Sequence, residues 1–359
     1  MPAGAPRARS APLCIALLLL WTVACDQAST ARSSTPEAGR FDRMTVLEEG
    51  DSTQLARPSA VAQAPNGDIF VSDRLRGLAS RYEHDGHLLS TLGRKGAGPG
   101  EFESPRAFAF VGDTTVLAFD PGLRRAQLFG YGGTVIGDPV SLPFDFSMAV
   151  GSDDGVWIGG SSVEADLAVV RWSPTSDSLV PFFPLPRLFH EYPLLLLLGG
   201  AELAASRDTV VMAFGAGNVL YIMDGRSREL LDSIVVPRSK RRGLPDATLE
   251  TARQGNGFEI LNSASALGAV SLLSTGEIAV VHQDLTQAPG NFKSELYLTT
   301  LSRSGEPVCV DAPIPQLGED RPLLEFVGDT LLMLEQELVG ADSIRTVVRR
   351  LVVDGARRC

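Results

Sequence analysis

A histidine and three carboxylates can hold a divalent cation or move protons, and His282, Asp73, Asp120 and Glu335 are the residues of this sequence placed to do so. Each closes a short apolar or β-branched run that follows a tight turn. A second candidate is residues 93–102, GRKGAGPGEF, which resemble a phosphate cradle. A nucleotide loop of that kind needs Lys followed by Ser or Thr at the start of a helix, whereas here Glu101 and Phe102 follow and a strand comes next. With no helix N-terminus to meet a pyrophosphate, the run reads as a return loop in which Gly96, Gly98 and Gly100 supply backbone freedom. A third candidate is basic: Arg74, Arg76, Arg124, Arg125, Lys240, Arg241 and Arg242 could grip an anion through bidentate contacts or pair with nearby Asp and Glu. No Gly-x-Ser-x-Gly elbow occurs, His84 and His87 flank a solvent turn, and His190 lies in a Pro-rich segment.

The elements that carry these residues repeat. Residues 66–73 (NGDIFVSD) align with 112–120 (GDTTVLAFD), each a turn and a strand ending in Asp. Tyr82 and Gly86 follow Asp73 at the offsets by which Phe129 and Gly133 follow Asp120. Weaker copies begin at 154, 207, 275 and 328, which makes six. A third strand follows each at 78–82, 126–129, 167–172, 219–223, 295–300 and 344–353, and outer strands are legible at 88–92, 134–136 and 230–236. Units of four short strands, roughly 40 to 65 residues each, describe an all-β, six-bladed β-propeller with antiparallel blades. Ala62, Ala109, Ala149 and Ser271 are the small residues expected where inner strands crowd the axis. After Asp354-Gly355 too little chain remains for an outer strand, and 41–49 (FDRMTVLEE) alternates in apolar and polar character, so this N-terminal segment is expected to complete the last blade and close the ring.

Loop lengths divide the two faces. Turns between first and second strands, and between third and fourth, are tight. The long excursions, 93–104, 184–199, 237–262, 284–294 and 336–342, all fall on the opposite face, and so do His282, Asp73, Asp120 and Glu335. Loops longer than their geometry requires tend to be functional, which places any ligand or partner on this long-loop face.

Residues 1–25 have the order of an export signal: Arg7 and Arg9, an apolar run over 13–23, and no acidic residue. That run is too short for a stable membrane span, as is the leucine-rich stretch 194–198. Residues 26–40, rich in Ala, Ser and Thr, read as a flexible tether, and 41–359 as the propeller. Without residues 1–25, which remove only Arg7 and Arg9 from the 32 basic residues, 30 basic side chains face 43 acidic ones. That balance argues against nucleic acid as a partner. Cys309 and Cys359 then remain as a possible disulfide pinning the ring closure in an oxidising compartment.

The run at 22–25, Thr-Val-Ala-Cys, resembles the lipobox of bacterial lipoproteins, with Thr22 where an aliphatic residue is usual, and the resemblance implies cleavage before Cys25 and its acylation. GAGPGEF followed by Pro105, together with the shared spacing after Asp73 and Asp120, resembles NHL-type repeats of bacterial six-bladed propeller lipoproteins of unknown activity. In such repeats the Asp looks structural, its carboxylate accepting N–H bonds from the next loop. The resemblance implies the architecture and hardly any function. The long-loop face and its basic residues set the expectation of a monomeric propeller, membrane-attached through its lipid, that acts as a binding or scaffold module for an unknown protein or small anionic ligand, with no cofactor. The alternative is a metal-assisted lyase or lactonase at the axial mouth, with a divalent metal on His282, Asp73, Asp120 and Glu335.

Overall fold

Short period-two runs bounded by Gly, Asp and Asn turns leave no alternative but strands that need cover on both faces. In the computed structural model, which describes residues 38–353 apart from 51–53, 144, 153–154, 174–175, 177, 207, 289–290, 319 and 340–342, these runs form six four-stranded antiparallel sheets around one axis. Blade one holds β2 (Pro58–Gln63), β3 (Ile69–Asp73), β4 (Leu78–Tyr82) and β5 (Leu88–Leu92). Blade two holds β6 (Ala107–Val111), β7 (Thr115–Asp120), β8 (Arg125–Gly130) and β9 (Val135–Ser141), and blade three β10 (Asp145–Ser152), β11 (Gly155–Ser162), β12 (Leu167–Ser173) and β13 (Ser178–Phe183). Blade four runs β14 (Ala201–Ser206), β15 (Thr209–Phe214), β16 (Val219–Asp224), β17 (Leu230–Val235), and blade five β18 (Ser265–Leu272), β19 (Ile278–Ala288), β20 (Asn291–Leu301), β21 (Pro307–Ile314). Blade six contains β22 (Leu323–Val327), β23 (Thr330–Val339) and β24 (Ser343–Val352), and its outer strand is β1 (Arg40–Val46).

The closing strand pairs antiparallel with β24 from Arg40 opposite Val352 to Val46 opposite Val347, with one irregularity between Phe41 and Arg43. Beyond the strand, the Glu48 amide donates to the Gly86 carbonyl of blade one at 2.8 Å. Gly86 has φ 101°, and a Cβ there would stand 2.0 Å from the Val46 carbonyl, so this turn demands glycine for both its backbone and its neighbour. The expected ring closure is therefore seen, with the strand at 40–46 rather than 41–49.

Six apolar clusters are present among the described residues, one between each neighbouring pair of blades. Between blades one and two, Phe70 meets Phe110 and Tyr131 edge-on at 5.3 and 5.2 Å. Between blades six and one, Leu332, Leu334 and Val348 pack on Val61, Ile69 and Val71. Ala62, Ala109, Ala149 and Ser271 are buried on inner strands and line the axial channel.

The structure redraws the long-loop face in two ways. Residues 284–294 and 336–342 are mostly strand, because β19–β20 and β23–β24 stay paired out to Ala288 opposite Asn291 and Val339 opposite Ser343. Segments 184–199 and 237–262 contain α1 (Arg187–Glu191), a 3-10 helix (Pro193–Leu198), α2 (Asp246–Arg253) and α3 (Gly257–Ser263). Helices this short are marginal alone, and these are held by Phe189, Leu195, Leu198, Ala252 and Ile260 in the core between blades three and four. None of the helices among the described residues is long and apolar enough to cross a membrane. The signal segment, Cys25, most of the tether, and the turn residues Asp154 and Arg207 lie outside the described residues. Cys309 is buried on β21, while Cys359, its expected partner, lies outside them.

Candidate binding site at the axial mouth

Inner strands that converge on an axis bring together side chains distant in sequence. Arg106 stands just before β6, Arg74 just after β3, and Arg321 two residues before β22; Glu202 lies near the start of β14, Glu325 within β22 and Gln283 within β19. All six line a cavity of about 390 Å³ on the long-loop side of the axis. Ala60, Ala62, Ala149 and Gly268 leave the space open. Arg321, Arg74 and Arg106 come from blades six, one and two, so the positive charge occupies one sector, and Glu202 enters from blade four.

Among the described residues, no hydrogen bond or ion pair engages the side chains of Arg74, Arg106, Arg321, Glu202 or Glu325. Their charges still act on one another at a distance. Glu202 is pushed up to about 8 by burial, opposed by Arg106 and Arg321. Burial, and then the charge of Glu202, raises Glu325 well above the usual carboxylate range. Arg321 is lowered by burial and by Arg106, and Arg74 by burial and by Arg57 and Arg106. At neutral pH the mouth thus presents three guanidinium groups beside carboxyls that favour the protonated form, a net positive site in a chain of formal charge −11. Gln283 is 2% exposed and its Oε1 accepts no hydrogen bond among the described residues. A buried polar atom in that condition lacks about 1–3 kcal/mol of stabilisation until a partner arrives.

The residues singled out in the sequence lie elsewhere. Asp73 accepts N–H bonds from Ala56, Arg57, Leu75 and Arg76 at 2.6 to 3.2 Å. Asp120 does the same for Glu103 and Ser104 at 2.6 and 3.0 Å. Glu335 accepts from the Leu317 amide and from Arg349 Nε at 2.8 and 2.6 Å. His282 is buried, neither ring nitrogen has a hydrogen-bond partner among the described residues, and burial together with the Arg241 charge lowers it to about 3. The four are not brought together, and among the described residues no group of three or more His, Cys, Asp or Glu is arranged to hold a metal.

Most of the basic candidates are fastened to the protein itself. Arg241 is fully buried against Asp311 and the carbonyls of Val236 and Pro237. Arg242 reaches Asp284 and Leu285, Arg124 the Pro143 carbonyl, and Arg76 the Gln54 carbonyl. Arg125 donates to the carbonyls of Ala97, Gly98 and Glu101, and so clamps the glycine-rich loop that Phe102 anchors in the core. Of the sequence-selected cations, Arg74 is the one that lines the cavity. His87 pairs with Glu48 and His190 with Asp166. Glu202 and Glu325 carried a signal that went unread, a carboxylate inside an apolar inner-strand run, in AELAAS and LLEFV.

No family model matches the chain, and no curated protein matches it. Solved structures do. A member of the DUF4221 family from Bacteroides vulgatus has a TM-score of 0.61 over 88% of this chain and 98% of that one, at 9% identity. A Bacteroides fragilis protein to which export is ascribed has a TM-score of 0.59 over 88% of this chain and 95% of that one, at 13% identity. A catalytically inactive variant of virginiamycin B lyase from Staphylococcus aureus, with quinupristin, has a TM-score of 0.50 over 85% of this chain and 83% of that one, at 12% identity. At such identities the likeness is one of fold.

His282 supplies a test of the electrostatics. Folded, it takes a proton only near pH 3, whereas unfolded it does so near 6.5, so falling pH favours the unfolded chain across that window. Between pH 6 and 4 the wild type should lose roughly 1 kcal/mol more per pH unit than His282→Leu. Denaturant titrations at both pH values check this, and equal losses in the two proteins would refute it.

Proposed function

We propose that this chain is an exported, lipid-anchored β-propeller that binds a small anionic ligand at the axial mouth of its long-loop face. The observation that carries the reading is the sector of Arg74, Arg106 and Arg321, three guanidinium groups around one cavity with no contacting carboxylate among the described residues. Burial and the charge of Arg106 act against Arg74 and Arg321, and an oxyanion would offset both. Protonated Glu202 and Glu325 would add O–H donors to the same oxyanion. The order of charge, apolar run and Cys25 at the N-terminus supports export and acylation.

A second reading, a lyase or lactonase at the same mouth, has Glu202 in its favour. A carboxyl held near 8 beside guanidinium groups is a competent general acid at neutral pH. The metal-assisted form of that reading draws less support, since Asp73, Asp120 and Glu335 are engaged by backbone N–H groups and His282 is walled in.

Binding is testable with inorganic phosphate. At pH 7, millimolar phosphate should raise the Tm of the wild type over chloride of equal ionic strength, and the Arg106→Ala/Arg321→Ala protein should not respond. The gain should shrink as pH rises through about 8, where Glu202 gains its negative charge, and Glu202→Gln should flatten that dependence. An identical phosphate response in the double variant would sink the reading. The anchor predicts palmitate labelling of the full chain in cells and its loss in Cys25→Ala; labelling that persists in the variant would contradict it.

A further inference from the structure

Five consecutive leucines, 194–198, have no role in crossing a membrane and only a partial one in the core. In a 3-10 helix residues three apart share a face. Leu195 and Leu198 accordingly turn inward, both buried beside Phe189 and Ile260. Leu194 and Leu196 are half-buried, and Leu197 is 53% exposed. A lone exposed leucine means little. This one belongs to the wall of a cleft of about 690 Å³ that Pro193–Leu198 forms on one side, with Val163 and Glu164 of the β11–β12 hairpin and Phe146 and Leu267 elsewhere around it. Arg106, Glu202 and Arg321 line this cleft as well as the axial cavity. One continuous depression therefore carries Arg106 and Arg321 at the axis and an apolar wall along Pro193–Leu198, while Glu164 and Arg124, whose guanidinium donates to the Pro143 carbonyl, also line it.

We infer that the ligand is an amphiphilic carboxylate, its head between Arg106 and Arg321 and its hydrocarbon chain laid along Leu194, Leu196 and Leu197. The inference rests on the anion-binding reading of the axial mouth and adds the chemical class of the ligand to it. Charge complementarity fixes the direction of the molecule, because an oxyanion is stabilised only at the arginine end and methylenes leave water only at the leucine end. Gln283, with its unpartnered Oε1 at the axial side, suits a hydroxyl or amide N–H close to the head.

The test is a calorimetric series of straight-chain carboxylates, from butyrate to decanoate below their aggregation limits, on the soluble propeller and on Leu197→Asn. Leu197 is exposed, so its replacement spares the core. Affinity for the wild type should rise about two- to fourfold with each methylene once the chain reaches the leucines. The rise should be markedly shallower in Leu197→Asn. Equal affinity at every length, or the same rise in both proteins, would overturn the amphiphile while leaving phosphate binding by the mouth intact. If neither phosphate nor any carboxylate binds, the anion site itself fails and the inference with it.

Discussion

Ring closure is the constraint on which the molecule depends. A four-stranded sheet with apolar side chains on both faces must be covered twice, and each blade here is covered by its two neighbours through the clusters between them. The circle is complete only because β1, from the beginning of the propeller, hydrogen-bonds to β24 near its end. Velcro closure of this sort removes the exposed edge of β24 and makes the sixth interface, Leu332 and Val348 against Ile69 and Val71, inseparable from the rest.

The same closure creates the charged mouth. Away from the axis the protein engages its buried ions with care: Arg241 with Asp311, Arg349 with Glu335, and Arg81 with Asp68 at 2.5 Å. At the axis the geometry differs, because Arg74, Arg106 and Arg321 project from separate blades around a space that small inner-strand residues leave open. The carboxyls that line the same cavity, Glu202 and Glu325, favour protonation instead of forming ion pairs among the described residues. A site under that electrostatic load would be stabilised by an anion from outside, and the wall of leucines would favour one that carries a hydrocarbon chain, as we propose.

Much of the architecture could be read from the chain. The turn, strand and terminal Asp of 66–73 and 112–120 repeat in register, since each Asp accepts N–H bonds from the segment that leads into the inner strand of its own blade, Ala56 for Asp73 and Glu103 for Asp120, and that requirement leaves a mark on sequence. The extensions of β19–β20 and β23–β24 were hidden because nothing in a blade limits how far a hairpin runs beyond it. The helices of 184–199 and 237–262 were hidden because their stability comes from Phe189, Leu195 and Ile260 in the shared core, whereas Pro186, Pro193 and Pro245 read locally as loop punctuation. The mouth was the least legible part. Arg106, Glu202 and Arg321 sit in three different blades, and only the closed ring gives them a common address.

The central claim is that closure leaves a cluster of unpaired guanidinium groups at one end of the axis. Anomalous diffraction from crystals of the propeller soaked in bromide tests it directly. The account predicts a bromide site in the cavity among Arg74, Arg106 and Arg321. A cavity without bromide, in which Arg106 and Arg321 are found in direct ion pairs with Glu202 and Glu325, would contradict it.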